Sequence, residues 1–194
     1  YDTNETMYNK LILQPEGTYD LICTSEYMLQ KMVRAGLVEP LNVKDECPVY
    51  AQYASKEVSK KLDTMSIDDS STLADYVAGY MWGTLGIVYN EEKISQIEGL
   101  DLTSWNVMWD SKLKGNVSTK DSVRDTYFIG VVNEYQDELK TLRDKYETGE
   151  ISKLAYQKEL NEIVNRHDKK TISKVEKRLE TLKKNVRGFE VDSA

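Results

Sequence analysis

A glycine-interrupted apolar run in the middle of the chain constrains the fold more than any other feature. The run, "YVAGYMWGTLGIVYN", covers residues 76–90 and is rich in aromatic side chains. Glycines inside an apolar run are typical of a strand that bends or that another group approaches closely. We therefore predict a strand at 79–90 that crosses between two packed lobes. Taken alone, Tyr80 and Trp82 each favour ordinary core packing over a role in ligand binding.

A predicted strand gives way to a helix at polar residues on each side of this run. Near the start of the chain, "NETMYNKLIL" predicts a helix that Asn4 or Thr3 could cap. Between this helix and the apolar run, "YDLICT" (19–24) predicts a short buried strand, and a second helix follows at 25–36. After the apolar run, a strand at 116–119 leads to a helix opening near Asp121. Open α/β sheets bind ligands at the carboxyl ends of their strands, where each strand is followed by a helix. The sequence thus predicts an α/β fold in which each lobe offers one wall of a cleft.

The two junctions between a predicted strand and a predicted helix supply the candidate ligand-binding residues. The first presents Ser25, Glu26 and Tyr27, although Ser25 could serve only as the N-cap of the helix. The second, "KDSVRD", places Asp121 and Asp125 four positions apart, a spacing that puts both carboxylates on one face of a helical turn. Such a pair could hold a cationic ligand, or could pair with the intervening arginine on a solvated surface.

Charge is distributed unevenly along the chain. Residues 1–133 carry 12 basic and 20 acidic side chains, whereas residues 134–187 carry 14 basic and 11 acidic ones. The acidic first two thirds disfavour nucleic acid and steer cationic ligands toward the protein.

The residue types required for metal or covalent chemistry are scarce. His167 is the single histidine, and Cys23 and Cys47 lack the spacing of a zinc site. We predict no metal, no cofactor and no catalytic residues, because no nucleophile is paired with a base. The two cysteines could form a disulfide or remain free, the commoner role of a cysteine in an apolar run being that of a buried thiol.

The later part of the chain reads as helical and charged. Two apolar stripes with steps of three and four recur, and each is too short for a coiled coil. The first stripe comprises Val132, Tyr135, Leu139, Leu142 and Tyr146, and the second comprises Ile172, Val175, Leu179, Leu182 and Val186. We therefore predict a charged helical arm packed within the chain, with a partner-binding helical module as the alternative.

Several blocks of the sequence are together similar to one known protein family. In order, "YDTNETMYNKL", "GTYDLICTSEYMLQKM", "YMWGTLGIVYN", "TSWNVMWDSKLKGNV" and "KDSVRD" resemble the spermidine/putrescine-binding proteins of polyamine ABC importers, a periplasmic-binding-protein family. The resemblance is collinear over about residues 1–130. It implies two α/β lobes joined by crossing strands, with a linear polyamine held between them. It also implies an ABC permease as partner, a periplasmic or cell-surface location, and a binding role without catalysis.

The family's ligand contacts are carried over where the motifs match. They match Ser25 and Tyr27 in the first block, with Glu26 at a variable position, and Asp121 and Asp125 in the last. Lys120 replaces a residue that is often acidic. Trp82 on the crossing strand completes the candidate set.

The resemblance also divides the chain. It implies part of a first lobe at 1–78, the crossing strand at 79–90, part of a second lobe at 91–133, the arm at 134–187 and the start of a strand at 188–194. Further family contacts lie upstream and downstream, so we expect a fragment that lacks both ends, the signal and the anchor, and that could self-associate. Solute-binding proteins for another small cation or metabolite remain alternatives, and the sequence does not separate spermidine from putrescine.

Overall fold

The computed structural model describes residues 1–190, apart from the side chain of Lys44. The chain forms two compact units, one covering Tyr1–Thr84 and the other beginning at Leu85. The division between them falls inside the segment predicted as the crossing strand.

The first unit is built from short helices. They are α1 (Asn4–Leu11), α2 (Glu26–Arg34), α3 (Val43–Glu46), α4 (Pro48–Tyr53), α5 (Lys56–Asp63) and a 3-10 helix at Leu73–Asp75. The sequence predicted α1 and α2 but not the helices after Asn42. Both α4 and α5 are short, and neither buries a residue.

Local capping explains the bounds of the two predicted helices. α1 begins where the Thr3 side chain accepts the Thr6 N–H at 3.0 Å. α2 ends at Arg34, and Gly36 just beyond it has a φ of +67° that lets the chain reverse, so that Leu37 N–H can donate to the Met32 carbonyl. Between α1 and α2 lies a small core of buried methionines: Met7, Met28 and Met32.

The strand predicted at 19–24 and the crossing strand predicted at 79–90 are both wrong. Residues 19–25 and 77–90 pair with no strand within residues 1–190. Their side chains are also exposed, Leu21 by 84%, Tyr80 by 80% and Trp82 by 70%, so core packing of the two aromatics is wrong as well. A strand is stabilised by its hydrogen-bonded neighbours, and these segments have none in this part of the chain.

The cysteines are both free. Cys23 is exposed and Cys47 is half-buried, so the expected burial of Cys23 is wrong.

The second unit combines helices with a small parallel sheet. Its helices are α6 (Glu91–Ile94), α7 (Val123–Glu134), α8 (Gln136–Glu147), α9 (Lys153–Val164) and α10 (Lys169–Asn185), with 3-10 helices at Trp105–Trp109 and Ser111–Leu113. Strands β1 (Ser118–Lys120) and β2 (Gly188–Glu190) run parallel, with Thr119 opposite Phe189. The predicted strand at 188–194 is therefore seen over its first three residues, and 191–194 lie outside the described residues.

Packing of α10 against α7 forms the core of the second unit. Val175 and Leu182 on α10 are fully buried, and Gly130 on α7 lets the two helices approach. The region predicted as an added arm thus supplies part of this core. Its second stripe differs from the prediction at Ile172, which is 47% exposed, while Thr171 is buried against the Tyr135 hydroxyl.

Within residues 1–190, no helix is long and apolar enough to cross a membrane. Within the same residues, no three or more His, Cys, Asp or Glu side chains are grouped so that they could hold a metal ion.

Candidate ligand-binding site

The turn that opens α2 is held by the start of α1. Ser25 occupies the N-cap position of α2, but its side chain makes no capping bond. Instead, its Oγ accepts a hydrogen bond from Asn4 Nδ2 at 2.9 Å. The hydroxyl of Ser25 therefore has a tertiary partner, which the N-cap alternative did not anticipate.

Asn4 joins four groups of this turn. Its Nδ2 donates to Ser25 Oγ and to the Tyr27 hydroxyl at 3.1 Å, while its Oδ1 accepts from Thr24 Oγ1 at 2.8 Å and from the Ser25 N–H at 3.3 Å. The site residues Ser25 and Tyr27 are thus brought together through one side chain, and their positions depend on α1.

Tyr27 is fixed at both ends. Its hydroxyl donates to Glu5 Oε1 at 2.9 Å, and its half-buried ring packs on the methionine core. Glu26 is the first residue of α2 and is half-buried. Trp82 lies in the unpaired segment of the same unit, and the hydrogen bonds that hold Ser25 and Tyr27 do not include it.

In the second unit, Asp121 lies between β1 and α7. Its N–H donates to the Glu190 carbonyl at 2.7 Å, which extends the pairing of β1 with β2 by one residue. α7 begins only at Val123, because Ser122 is its N-cap and accepts the Asp125 N–H on its side chain at 3.3 Å. Asp121 therefore precedes the helix, and the prediction that it shares a helical face with Asp125 is wrong.

Asp125 is in the first turn of α7, where the partial positive charge of the helix N-terminus favours a carboxylate. Its Oδ2 lies 3.3 Å from Lys120 Nζ, and the two side chains are 30% and 42% exposed. Lys120 thus supplies a cation to this carboxylate. The position accepts an ammonium group, the same group that ends a polyamine.

Asn4 and Glu5, which hold the candidate residues in place, could not be predicted from the sequence. By its position Asn4 is a possible cap of α1, but Thr3 fills that role. The signal was present in "TNET", where an amide and a carboxylate open a helix whose cap is already supplied, but their partners lie 20 to 23 residues away.

Comparisons with known proteins identify the class. A solved structure, a putative spermidine/putrescine ABC transporter from Listeria monocytogenes, aligns with 97% of this chain and 47% of its own, with a TM-score of 0.70 and 24% identity. This likeness confirms the predicted α/β fold of the periplasmic-binding-protein type. The family model for bacterial extracellular solute-binding proteins matches residues 16–190, and the chain belongs to that family.

Relatives support the resemblance seen in the sequence. The spermidine/putrescine-binding periplasmic protein of Escherichia coli (strain K12) is 28% identical over 127 residues, 66% of this chain and 33% of that protein. The putrescine-binding periplasmic protein SpuD of Pseudomonas aeruginosa (strain UCBPP-PA14) is 31% identical over 112 residues, 56% of this chain and 28% of that protein. The chain spans about a third of the length of the curated relatives it matches.

Proposed function

We propose that the whole protein is the solute-binding component of an ABC importer and that it binds linear polyamines such as spermidine or putrescine. The observation that carries the proposal is the ammonium of Lys120 against Asp125 at the start of α7, because it identifies an anionic position that takes this group. The names of the two relatives support the same ligand class.

Each candidate residue has a role that follows from its chemistry. Asp121 and Asp125 would accept charge-assisted hydrogen bonds from the ligand's ammonium groups. Tyr27 and Trp82 would cover the methylenes and contribute cation–π attraction of about 0.5 to 2 kcal/mol. Ser25 and Glu26 would supply further acceptors.

The proposal extends to partners and location. A membrane permease of an ABC transporter would receive the ligand, and the protein would work outside the cytoplasm, attached to the cell surface. The binding role requires neither a cofactor nor a catalytic residue. Solute-binding for another small cation is the rival within the family. The helical-module alternative loses support because Val175 and Leu182, which define its second stripe, are buried inside the second unit.

A ligand screen by thermal shift and calorimetry tests the proposal on the full-length protein. Spermidine and putrescine at 100 times their dissociation constants should stabilise it by about 2.7 kcal/mol, whereas sugars, neutral amino acids and metal ions should not. Stabilisation by another ligand class without any by polyamines would overturn the proposal.

The carboxylates are tested in the same protein. Asp121→Asn and Asp125→Asn should each weaken polyamine binding by about 2 kcal/mol, because a desolvated ammonium loses its charged partner. Asp137→Asn, an exposed carboxylate in the first turn of α8, is the matched control. Unchanged affinity in both site variants would leave Asp121 and Asp125 as surface charges.

A further inference from the structure

The orientation of the Asn4 amide is determined by its partners. A backbone N–H can only donate, so the atom of Asn4 that faces the Ser25 N–H must be the carbonyl oxygen Oδ1. The amide nitrogen Nδ2 therefore faces the Ser25 and Tyr27 hydroxyls. Asn4 thus donates to both hydroxyl oxygens through Nδ2. The backbone N–H of Ser25 excludes the flipped amide, in which Oδ1 and Nδ2 would exchange places.

The hydrogen of the Tyr27 hydroxyl is also assigned. An ionised carboxylate only accepts, so the 2.9 Å contact with Glu5 Oε1 places this hydrogen on the line to Glu5. One acceptor position of the same oxygen takes the Asn4 N–H. Because its single hydrogen is donated to Glu5, the Tyr27 hydroxyl can only accept a hydrogen bond from any further partner.

We propose that Asn4 and Glu5 are positioning residues that set the polarity of the Tyr27 hydroxyl, so that it accepts a hydrogen bond from a ligand N–H and discriminates against ligands that present an oxygen acceptor. This inference rests on the proposed function. It names the selected chemistry as a primary or secondary ammonium, in preference to carboxylate or phosphate.

The surroundings keep this polarity in place. Asn4 and Glu5 are in the first turn of α1, which is anchored on α2 through the buried Met7, Met28 and Met32. The carboxylate of Glu5 can only accept the Tyr27 hydrogen, whereas the amide of a glutamine at this position could also donate to the Tyr27 oxygen. Removing Glu5's charge or Asn4's amide should therefore affect ligand binding through Tyr27.

A double-mutant cycle in the full-length protein tests the inference. Glu5→Gln and Tyr27→Phe should each raise the spermidine Kd about tenfold, equivalent to about 1.4 kcal/mol. The double variant should be about as weak as Tyr27→Phe alone, because Glu5 acts through the hydroxyl that Phe lacks. Glu16→Gln, an exposed carboxylate of the same unit, controls for the loss of one charge and should leave the Kd unchanged.

Asn4 is tested by a change of similar volume. Asn4→Leu should raise the Kd by about tenfold or more. Asn9→Leu, the same substitution at an exposed position of α1, should not. Additive effects of Glu5→Gln and Tyr27→Phe, or an unchanged Kd in Asn4→Leu, would overturn the positioning role.

A failure of the proposed function gives a different result. Wild-type protein that binds no polyamine would defeat that function, and the cycle would then be followed by thermal unfolding without ligand. There Glu5→Gln and Tyr27→Phe should still be non-additive, because the hydrogen bond exists in the ligand-free chain. Additive unfolding shifts would overturn the inference itself.

Discussion

At the scale of single residues, Asp125 has an internal competitor for any ammonium ligand. Lys120 Nζ is 3.3 Å from its carboxylate, and both side chains are partly exposed. Pairs of this kind contribute about 0 to 1 kcal/mol, much less than a desolvated contact with a bound cation. A ligand could therefore displace Lys120 at small cost.

We expect Lys120→Gln to tighten polyamine binding two- to fivefold, about 0.4 to 1 kcal/mol, because the competing ammonium is removed while the carboxylate remains. Isothermal titration of the full-length protein with spermidine measures the change. Lys114→Gln, at an exposed lysine that precedes β1, is the control. Weaker binding in Lys120→Gln would show that Lys120 supports the site and does not compete for it.

At the scale of elements, helices with local signals could be predicted from the sequence, whereas strands could be predicted only in part. The Gly36 turn and the cap at Thr3 are set by residues within a few positions, so α1 and α2 were placed correctly. Strand β1 is paired across 70 positions, Ser118 with Gly188, and it was placed within two residues. Residues 19–24 and 79–90 looked equally strand-like, but strand formation depends on distant partners that a local pattern does not contain.

The same distinction applies to the candidate site. Ser25, Tyr27 and Asp125 stand out by residue type beside a predicted helix start. Asn4, Glu5 and the Lys120 contact do not, because their roles follow from which segments pack together. The helical face shared by Asp121 and Asp125 was predicted wrongly because one serine moved the helix start past Asp121.

The contact of α7 with α10 leads to a prediction about Gly130. A Cβ at this position would come within 2.7 Å of Val175 Cγ1, a fully buried side chain. Gly130→Ala would gain about 1 kcal/mol of helix propensity but would overpack the core by about 1 to 3 kcal/mol. We expect a net loss of stability in chemical denaturation.

Gly86→Ala is the control for this change, since an added Cβ there meets no atom within 4 Å. A Gly130→Ala protein more stable than the parent would mean that α7 and α10 are farther apart than described.

Glu134 joins the same two helices through charge. Its carboxylate lies 2.9 Å from Lys174 Nζ and 2.7 Å from Arg178 Nε, and these hydrogen bonds, that of Lys174 first, lower the pKa of Glu134. A lowered folded-state pKa contributes stability that is complete above the unfolded value of about 4.3 and is lost as pH falls through the folded value.

We therefore expect Glu134→Gln to destabilise the protein by about 1 to 3 kcal/mol at pH 7, and the difference from wild type to narrow below about pH 4. Urea denaturation at pH 7 and pH 3 measures both values. Glu176→Gln, an exposed glutamate of α10, should change little at either pH. A Glu134→Gln deficit that is the same at both pH values would contradict a charge-based role.

At the scale of the whole molecule, one short stretch of sequence carries several exposed apolar side chains. Four large side chains within residues 80–88 are at least 70% exposed: Tyr80, Met81, Trp82 and Val88. Exposed apolar side chains grouped in this way favour association. In the 194-residue chain studied alone, we expect the sedimentation coefficient to rise with concentration.

Replacing Trp82 and Val88 together by serine should reduce this association, while Leu154→Ser, at an exposed leucine of α9, should not. A chain that stays monomeric at every concentration would show that the exposed stretch is covered within the molecule.

The turn between α8 and α9 has a practical use. Gly149, at φ +76°, closes α8 with hydrogen bonds from its own N–H to Tyr146 and from Glu150 to Lys145, and Tyr146 stacks on Tyr156 at 4.8 Å between ring centroids. The hairpin is thus secured just below its tip, in a stretch of chain that leaves β1 and returns to β2. Each doubling of a loop's length costs only about 0.6 kcal/mol. The tip is therefore an attachment point where a fluorescent label could be inserted without disturbing the pairing of β1 with β2.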